Sequence, residues 1–372
     1  MTEYKICSKC IMDTTDPDII FDDQGICNHC RSYEKWKKEQ DRIPAETRNK
    51  IFHTNISKIK KSGKGKKYDC LIGLSGGTDS SYVVYLAHQH NLRALVVHLD
   101  NGWNSEQAVN NIKNIVSHCN YDFYTHVINW EEFKDLQRSF FKASVVDIEI
   151  LTDQAISAMM QKLARKHGIK WVISGSNRAT EFIMPKKWVH MKMDYINVKA
   201  IQKKFGTRKI KTFPLANLWS LLNKQFSLNL GLNIFKPLNF VEYNKLEAKK
   251  ILTREFGWKD YGEKHYESVF TKFYQAYYLP EKFNIDKRKA HYSTLINSGL
   301  ITREQALEQI KKPLYDPDEL RIEKDYVLKK LDFSDQEFEE ITNDQPKSHL
   351  DYPNIYTFFD KLEKLKKRLT AK

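Results

Sequence analysis

The stretch Leu71-Ile72-Gly73-Leu74-Ser75-Gly76-Gly77-Thr78-Asp79-Ser80 constrains the fold of this chain more than any other. The apolar run from Tyr68 to Leu74 has the length and composition of a strand buried on both faces. It breaks at two glycines and passes through Asp79 and Ser80 into the periodic segment Tyr82 to His90, which reads as a helix. A strand that feeds a helix through a Gly-Gly turn aims several backbone N–H groups and the positive helix end at one point, which suits a phosphate. The spacing lacks the G-x-x-x-x-G-K-[ST] of the common nucleotide loop and the G-x-G-x-x-G of dinucleotide sites.

From Tyr68 the pattern alternates strand and helix. Further apolar strands are expected over Arg93 to Leu99, Phe123 to Ile128 and Lys170 to Ile173, with a late one over Asn233 to Leu238. Helices are expected over 104–118, 130–142 and 152–167, the last beside Thr152 or Asp153 as a cap. Such alternation implies an α/β fold with a doubly wound parallel sheet, whose ligands sit beyond the carboxyl ends of the strands. Three polar clusters fall at those ends: Ser75 to Ser80, Asp100-Asn101-Gly102, and Gly175 to Glu181.

The first thirty residues carry Cys7-x-x-Cys10 and Cys27-x-x-Cys30, a pair of knuckles that brings four thiolates into a tetrahedron. Structural zinc is the expectation; disulfides and an iron–sulfur cluster are the competing readings. His29, inside the second knuckle, reads as a neighbour of the site. Lys60 to Lys67 has the composition of a flexible linker, and the character changes again after Phe240 to helices rich in charge and aromatics. The expected domains are therefore 1–65, an N-terminal zinc-binding module with its linker; 66–240, the α/β domain; and 241–372, a mainly helical C-terminal region.

Lys and Arg number 61 against 47 Asp and Glu in 372 residues, a net charge of +14 that suits a polyanionic partner such as a nucleotide-linked sugar with ATP. Much of the excess lies in runs that read as solvated faces, so nucleic acid is not the expected partner. No apolar window is long enough for a membrane span and the start lacks the apolar core of a signal peptide, which makes a cytoplasmic location the expectation.

Ser-Gly-Gly-x-Asp-Ser resembles the pyrophosphate (PP) loop of the ATP pyrophosphatases, which adenylate a substrate oxygen. The resemblance implies ATP contacts from Ser75, Gly76, Gly77, Thr78, Asp79 and Ser80. An ATP-splitting site needs magnesium held by one or two carboxylates plus phosphate oxygens, and Asp79 and Glu181 are the candidates. Asp79 has helix capping as an alternative role. The turn from His98 to Gly102, Asp100 included, is a candidate wall of the nucleoside pocket, and Gly175, Ser176 and Asn177 belong to the third cluster.

Over most of its length the chain resembles a narrower family, the N-acetyl sugar amidotransferases of surface-polysaccharide biosynthesis. The resemblance is carried by both cysteine knuckles, the loop at Ser75 to Ser80 and Ser174-Gly175-Ser176-Asn177. It is carried most tellingly by Tyr261-Gly262-Glu263-Lys264-His265-Tyr266-Glu267-Ser268-Val269-Phe270-Thr271, with Asp286 to Ser293 and Gly299 to Ala306 behind it. It implies ATP-driven conversion of a sugar N-acetyl group to an acetamidino group, with ammonia from a separate glutaminase. An amide oxygen is a poor leaving group; adenylation makes it a good one, and ammonia then displaces AMP. Lys264 and His265 are the candidate catalytic residues beside Asp79 and Glu181, with Lys264 reaching a phosphate. His265, Glu267, Arg288, Lys289 and His291 are the candidate substrate contacts. Of the six cysteines only Cys70 and Cys119 remain once the knuckles are assigned, and neither has a C-x-x-C partner. That weakens the alternative reading, a tRNA-thiolating enzyme built on the same loop, and leaves this chain without a glutamine-hydrolysing nucleophile.

Overall fold

The computed structural model of the protein describes residues 3–216, 232–260 and 267–360. Lys264 and His265 lie outside the described residues. Five strands form one parallel sheet in the order β3-β2-β1-β4-β5: β1 (Cys70–Gly73), β2 (Ala94–Asp100), β3 (Asp122–Val127), β4 (Trp171–Ile173) and β5 (Asn233–Phe235). Leu71 of β1 stands beside Leu95 on one side and Val172 on the other. Successive strand residues face opposite ways. Leu71, Leu95 and Val97 therefore join one core cluster, and Cys70, Ile72, Ala94 and Val96 the other. Both faces of β1 and β2 are covered, which is why these two strands read as unbroken apolar runs, whereas the edge strand β3 is largely exposed.

The chain reverses its direction of crossover between β1 and β4, and a crevice opens there beyond the carboxyl ends of those two strands. The loops after β1 and β4 are thus neighbours in space although about a hundred residues apart in sequence. Helix Thr78–Gln89 starts at that crevice. Helix Ile150–His167 begins two residues earlier than its sequence suggests and has no side-chain cap, which frees Thr152 and Asp153 to face the crevice.

Lys60 to Lys67 departs from the expected flexible linker. The helix Ala45–Ser62 runs into it, and Arg93 donates to the carbonyls of Lys66 and Gly63 at 2.7 and 2.8 Å while also gripping Asp69. Phe52, Ile56 and Ile59 of that helix pack with Ile72 and Val83 in one core cluster. A lysine-rich composition read as solvated chain is here a helix end closed by an arginine just before β2.

Beyond Phe240 the described chain is helical. Phe270, Phe273, Tyr274 and Tyr278, whose spacing is helical, are buried in the core. Cys70 and Cys119 lie in the other cluster, and burial pushes both thiols up, Cys119 to about 12. Among the described residues no helix is long and apolar enough to cross a membrane.

Two buried carboxylates of helix Trp130–Lys142 hold the segment that precedes residue 216. Glu132 accepts from the backbone N–H groups of Lys211, Thr212 and Phe213 at 2.9–3.1 Å, and Asp135 from those of Thr207 and Arg208 at 2.8–3.1 Å. Burial alone would raise both pKa values, but these donors outweigh it and hold them below their ordinary 4.5 and 3.8. A depressed folded-state pKa contributes stability that is complete above the ordinary value and lost as pH falls through the folded one. Thermal unfolding midpoints followed from pH 6 down should therefore decline below about pH 4. Glu132→Gln should cost about 2 kcal/mol at neutral pH and flatten that decline.

Candidate functional site

The loop after β1 owes its shape to its own hydroxyls and glycines. Ser80 Oγ accepts from the Ser75 N–H at 3.2 Å and donates to the Gly77 carbonyl at 3.1 Å, while Ser75 Oγ accepts from the Gly77 N–H at 3.3 Å. Gly76 has φ +84°, and a Cβ there would stand 2.6 Å from the Ala108 carbonyl oxygen, so no other residue fits. Trp258 Nε1 donates to the Gly76 carbonyl at 2.9 Å, which turns that oxygen away from the crevice. The second loop comes equally close: a Cβ on Gly175 would lie 2.9 Å from the Asp79 carbonyl carbon and 3.0 Å from Ser80 N. Two glycine-bearing loops are thus pressed together at one helix N-terminus, the geometry of an anion cradle.

A cleft of about 820 Å³ opens over this cradle. Its lining includes Ser75, Gly77, Thr78, Asp79, Ser80, His98, Gly175, Ser176 and Glu181 from the sheet side, with Glu267 and His291 from the helical side. Asp79 lies in the first turn of a helix capped by Gly77, and its carboxylate accepts the Tyr243 hydroxyl rather than capping the helix. His98 Nδ1 donates to the Leu74 carbonyl at 2.9 Å, leaving Nε2 to accept from Asn104 at 3.1 Å. Burial lowers the His98 pKa, so the ring is neutral and its tautomer follows from these two bonds.

Four expected site residues do other work. Asp100 accepts from Gly102 N at 2.9 Å and Asn104 Nδ2 at 3.2 Å, which shapes the turn without lining the cleft. Asn177, nearly fully buried, caps the short helix Arg178–Glu181 by accepting from Thr180 N at 3.0 Å and so presents Glu181. Arg288 doubles onto Asp286 and reaches the Lys312 carbonyl at 2.8 Å, and Lys289 pairs with Asp13 of the cysteine module. Neither cation lines the cleft.

Other side chains take that place. Lys192 bridges Asp147 at 2.9 Å and Asp153 at 3.0 Å; Lys287 pairs with Glu149 at 3.0 Å, and Gln275 donates to the same carboxylate at 3.1 Å. Burial disfavours the charge on Lys192, but the two carboxylates outweigh it and raise its pKa. Burial raises the Asp153 carboxyl, only partly offset by Lys192. Lys287 was within reach of sequence reasoning, because it stands one helical turn from His291. Glu149, Asp153 and Lys192 carry no motif and become visible only as a cluster.

At the N-terminus, Sγ of Cys7 lies 4.0 Å from that of Cys30, and Cys10 Sγ lies 3.7 Å from Cys27 Sγ. All four sulfur atoms fall within 4.8 Å of one another, and all six cysteines of the chain are free of disulfides. Zinc–thiolate bonds of about 2.3 Å in a tetrahedron place sulfurs about 3.8 Å apart, so the set fits zinc. Backbone N–H groups of Cys10 and Cys27 donate to Cys7 Sγ at 3.4 and 3.2 Å, the kind of outer hydrogen bond that orients a thiolate ligand. His29 Nε2 is 2.6 Å from Asp16 and stands outside the four-sulfur set.

Comparison with known proteins gives two family matches. Residues 69–177 match asparagine synthase, and residues 267–366 match the family described as LPS biosynthesis protein WbpG-like, C-terminal domain. An uncharacterised protein of Methanocaldococcus jannaschii is 21% identical over 316 residues, which cover 82% of this chain and 93% of that protein. Among solved structures, the NH3-dependent NAD synthetase of Campylobacter jejuni in complex with the nitrate ion is similar at a TM-score of 0.35 and 13% identity, covering 81% of this chain and 98% of its own. The NMN synthetase of Francisella tularensis is similar at a TM-score of 0.29 and 17% identity, covering 61% of this chain and 92% of its own. The structural likenesses are too slight to carry an argument; the family matches do. The first spans β1, the Gly-Gly loop and β4 as far as Asn177, and the second begins at Glu267 on the facing wall of the same cleft. Together they support an N-acetyl sugar amidotransferase-type family and mark the chain as an ATP-dependent C–N ligase.

Proposed function

We propose that the protein converts the N-acetyl group of a nucleotide-linked sugar to an acetamidino group, with ATP held at Ser75 to Ser80 and ammonia supplied by a separate glutaminase subunit. In this reading residues 66–240 bind ATP, residues 241–372 complete the acceptor and partner surfaces, and residues 1–65 hold zinc. Lys264 and His265 keep the catalytic roles that the family resemblance implies for them. In the first step the amide oxygen attacks the α-phosphorus. A P–O bond forms, and the bond to pyrophosphate breaks. Ammonia then adds to the imidate carbon, and the C–O bond breaks with its electron pair leaving on AMP. The product retains the proton as an amidinium cation.

The observation that carries this reading is the character of the cleft. The anion cradle at one end opens directly into a half lined by carboxylates. Among the described residues the cleft lining holds the carboxylates Asp79, Glu149, Asp153, Glu181 and Glu267 against the lysines Lys192, Lys245 and Lys287, with Asp147 buried behind Lys192. A neutral amide becomes a cation in this reaction, and fixed negative charge beside the reacting carbon favours that change over the starting state. An excess of carboxylates also suits ammonium better than an anionic sugar at that spot. Magnesium on Asp79 and Glu181 would neutralise charge on the departing pyrophosphate. The thiolation alternative lacks its sulfur carrier: no cysteine lines the cleft, and the thiols of Cys70 and Cys119 are buried and held protonated.

The test is AMP and pyrophosphate release from ATP and ammonium with a panel of nucleotide-linked N-acetyl sugars, run beside bulk tRNA, with mass spectrometry of the sugar. Sugar-dependent AMP release, with oxygen exchanged for NH in the product, is expected. AMP release with tRNA alone would overturn the proposal.

A further inference from the structure

The helix Lys287–Asn297 serves two sites at once. Helical residues advance by about 100° each, so Lys289, Ser293 and Asn297 form one stripe, while Lys287, His291 and Thr294 form a second, about a third of a turn away. The first stripe grips the cysteine module. Lys289 pairs with Asp13, Ser293 Oγ accepts from Ile11 N at 3.1 Å, and Asn297 Nδ2 donates to Cys30 Sγ at 3.3 Å. At the first residue of the next helix, Arg303 donates to the carbonyls of Cys10 and Cys7, both at 3.0 Å. The second stripe faces the cleft. Lys287 pairs with Glu149, His291 lines the cavity, and Thr294 Oγ1 accepts from Ile183 N at 3.0 Å, two residues beyond Glu181.

We infer that metal capture by the four cysteines sets where Lys287 and His291 stand in the cleft, with Lys289, Ser293, Asn297 and Arg303 as the positioning residues. The physical link is short. The bonds from Asn297 and Arg303 end on a ligand sulfur and on the carbonyls of two ligand residues, so their anchor points are only as fixed as the cysteines themselves. Thiolates less than 4 Å apart repel one another without a cation between them, and a metal-free module loses its defined geometry. Ser293 and Lys289 are anchored beside the ligands, on Ile11 and Asp13, and would move with them. Lys192 reaches the same cleft from a different segment, paired with Asp147 and Asp153, and has no bond to the cysteine module. It is therefore an internal control.

The experiment reads lysine acylation by an N-hydroxysuccinimide ester, residue by residue by mass spectrometry, in the full chain before and after zinc is removed with a chelator. It requires no turnover, so its failure is separable from failure of the proposed reaction. Zinc removal should raise the rate at Lys287 roughly tenfold, the effect of losing one charge-assisted contact, and leave Lys192 unchanged. Ser293→Ala combined with Asn297→Ala should reproduce the change at full zinc content, and Ser293→Thr, which keeps the hydroxyl, should behave as the parent. An unmoved Lys287 after zinc removal overturns the inference. So does a parallel rise at Lys192, which would mean general loosening rather than movement of one helix.

Discussion

Gly175→Ala is expected to lower kcat/KM for ATP by about 100-fold while the chain remains folded. The added methyl would have to occupy space 2.9 Å from the Asp79 carbonyl carbon, closer than real contacts allow, so the loops after β1 and β4 must separate. Gly175 has an ordinary backbone conformation, unlike Gly76, so the substitution strains contact geometry rather than φ and ψ. The damage should fall on the phosphate cradle, because the methyl meets backbone at the very residues, Asp79 and Ser80, that begin the helix. Steady-state kinetics and ATP binding by calorimetry, with a thermal melt as the folding control, decide it. Unchanged ATP affinity would mean that the two loops do not act as one site.

Removal of the N-terminal metal should lower the melting temperature by roughly 10 °C or more, since the binding free energy of a four-thiolate zinc site is largely folding free energy. Four sulfurs gathered within 4.8 Å of one another, with backbone donors aimed at Cys7, leave no redundancy. Cys27→Ala should have the same effect as chelation. Metal analysis is expected to find one zinc per chain; a visible absorption band from an iron–sulfur cluster, or a melting temperature indifferent to chelators, would overturn the assignment.

What could be read from the chain alone was set by local rules. The unbroken apolar runs of β1 and β2, the two glycines that follow β1, and the paired C-x-x-C knuckles depend on neighbours within a few residues. The parallel sheet, the anion cradle and the four-sulfur set follow from them. The stretch Asp286 to Ser293 reaches the cleft through Lys287 and His291, whereas proximity in sequence groups Arg288 and Lys289 with His291. On a helix the partner of His291 is Lys287, one turn away, and the two residues between them look toward Asp286 and Asp13. Lys60 to Lys67 departs from its composition for a related reason: composition describes solubility, and one arginine, Arg93 just before β2, is enough to tie the segment down.

The sequence by itself determined the sheet, its glycine-bearing loop and the paired cysteine knuckles, because each is written in spacing and in residues with special backbone or ligand chemistry. Only the tertiary structure decided which charges meet in the cleft wall and, for Asp147, behind it. Asp147, Glu149, Asp153, Lys192 and Lys287 come from segments with no common pattern, and the energy of a charge depends on what stands within a few ångströms of it, not on what precedes it in the chain.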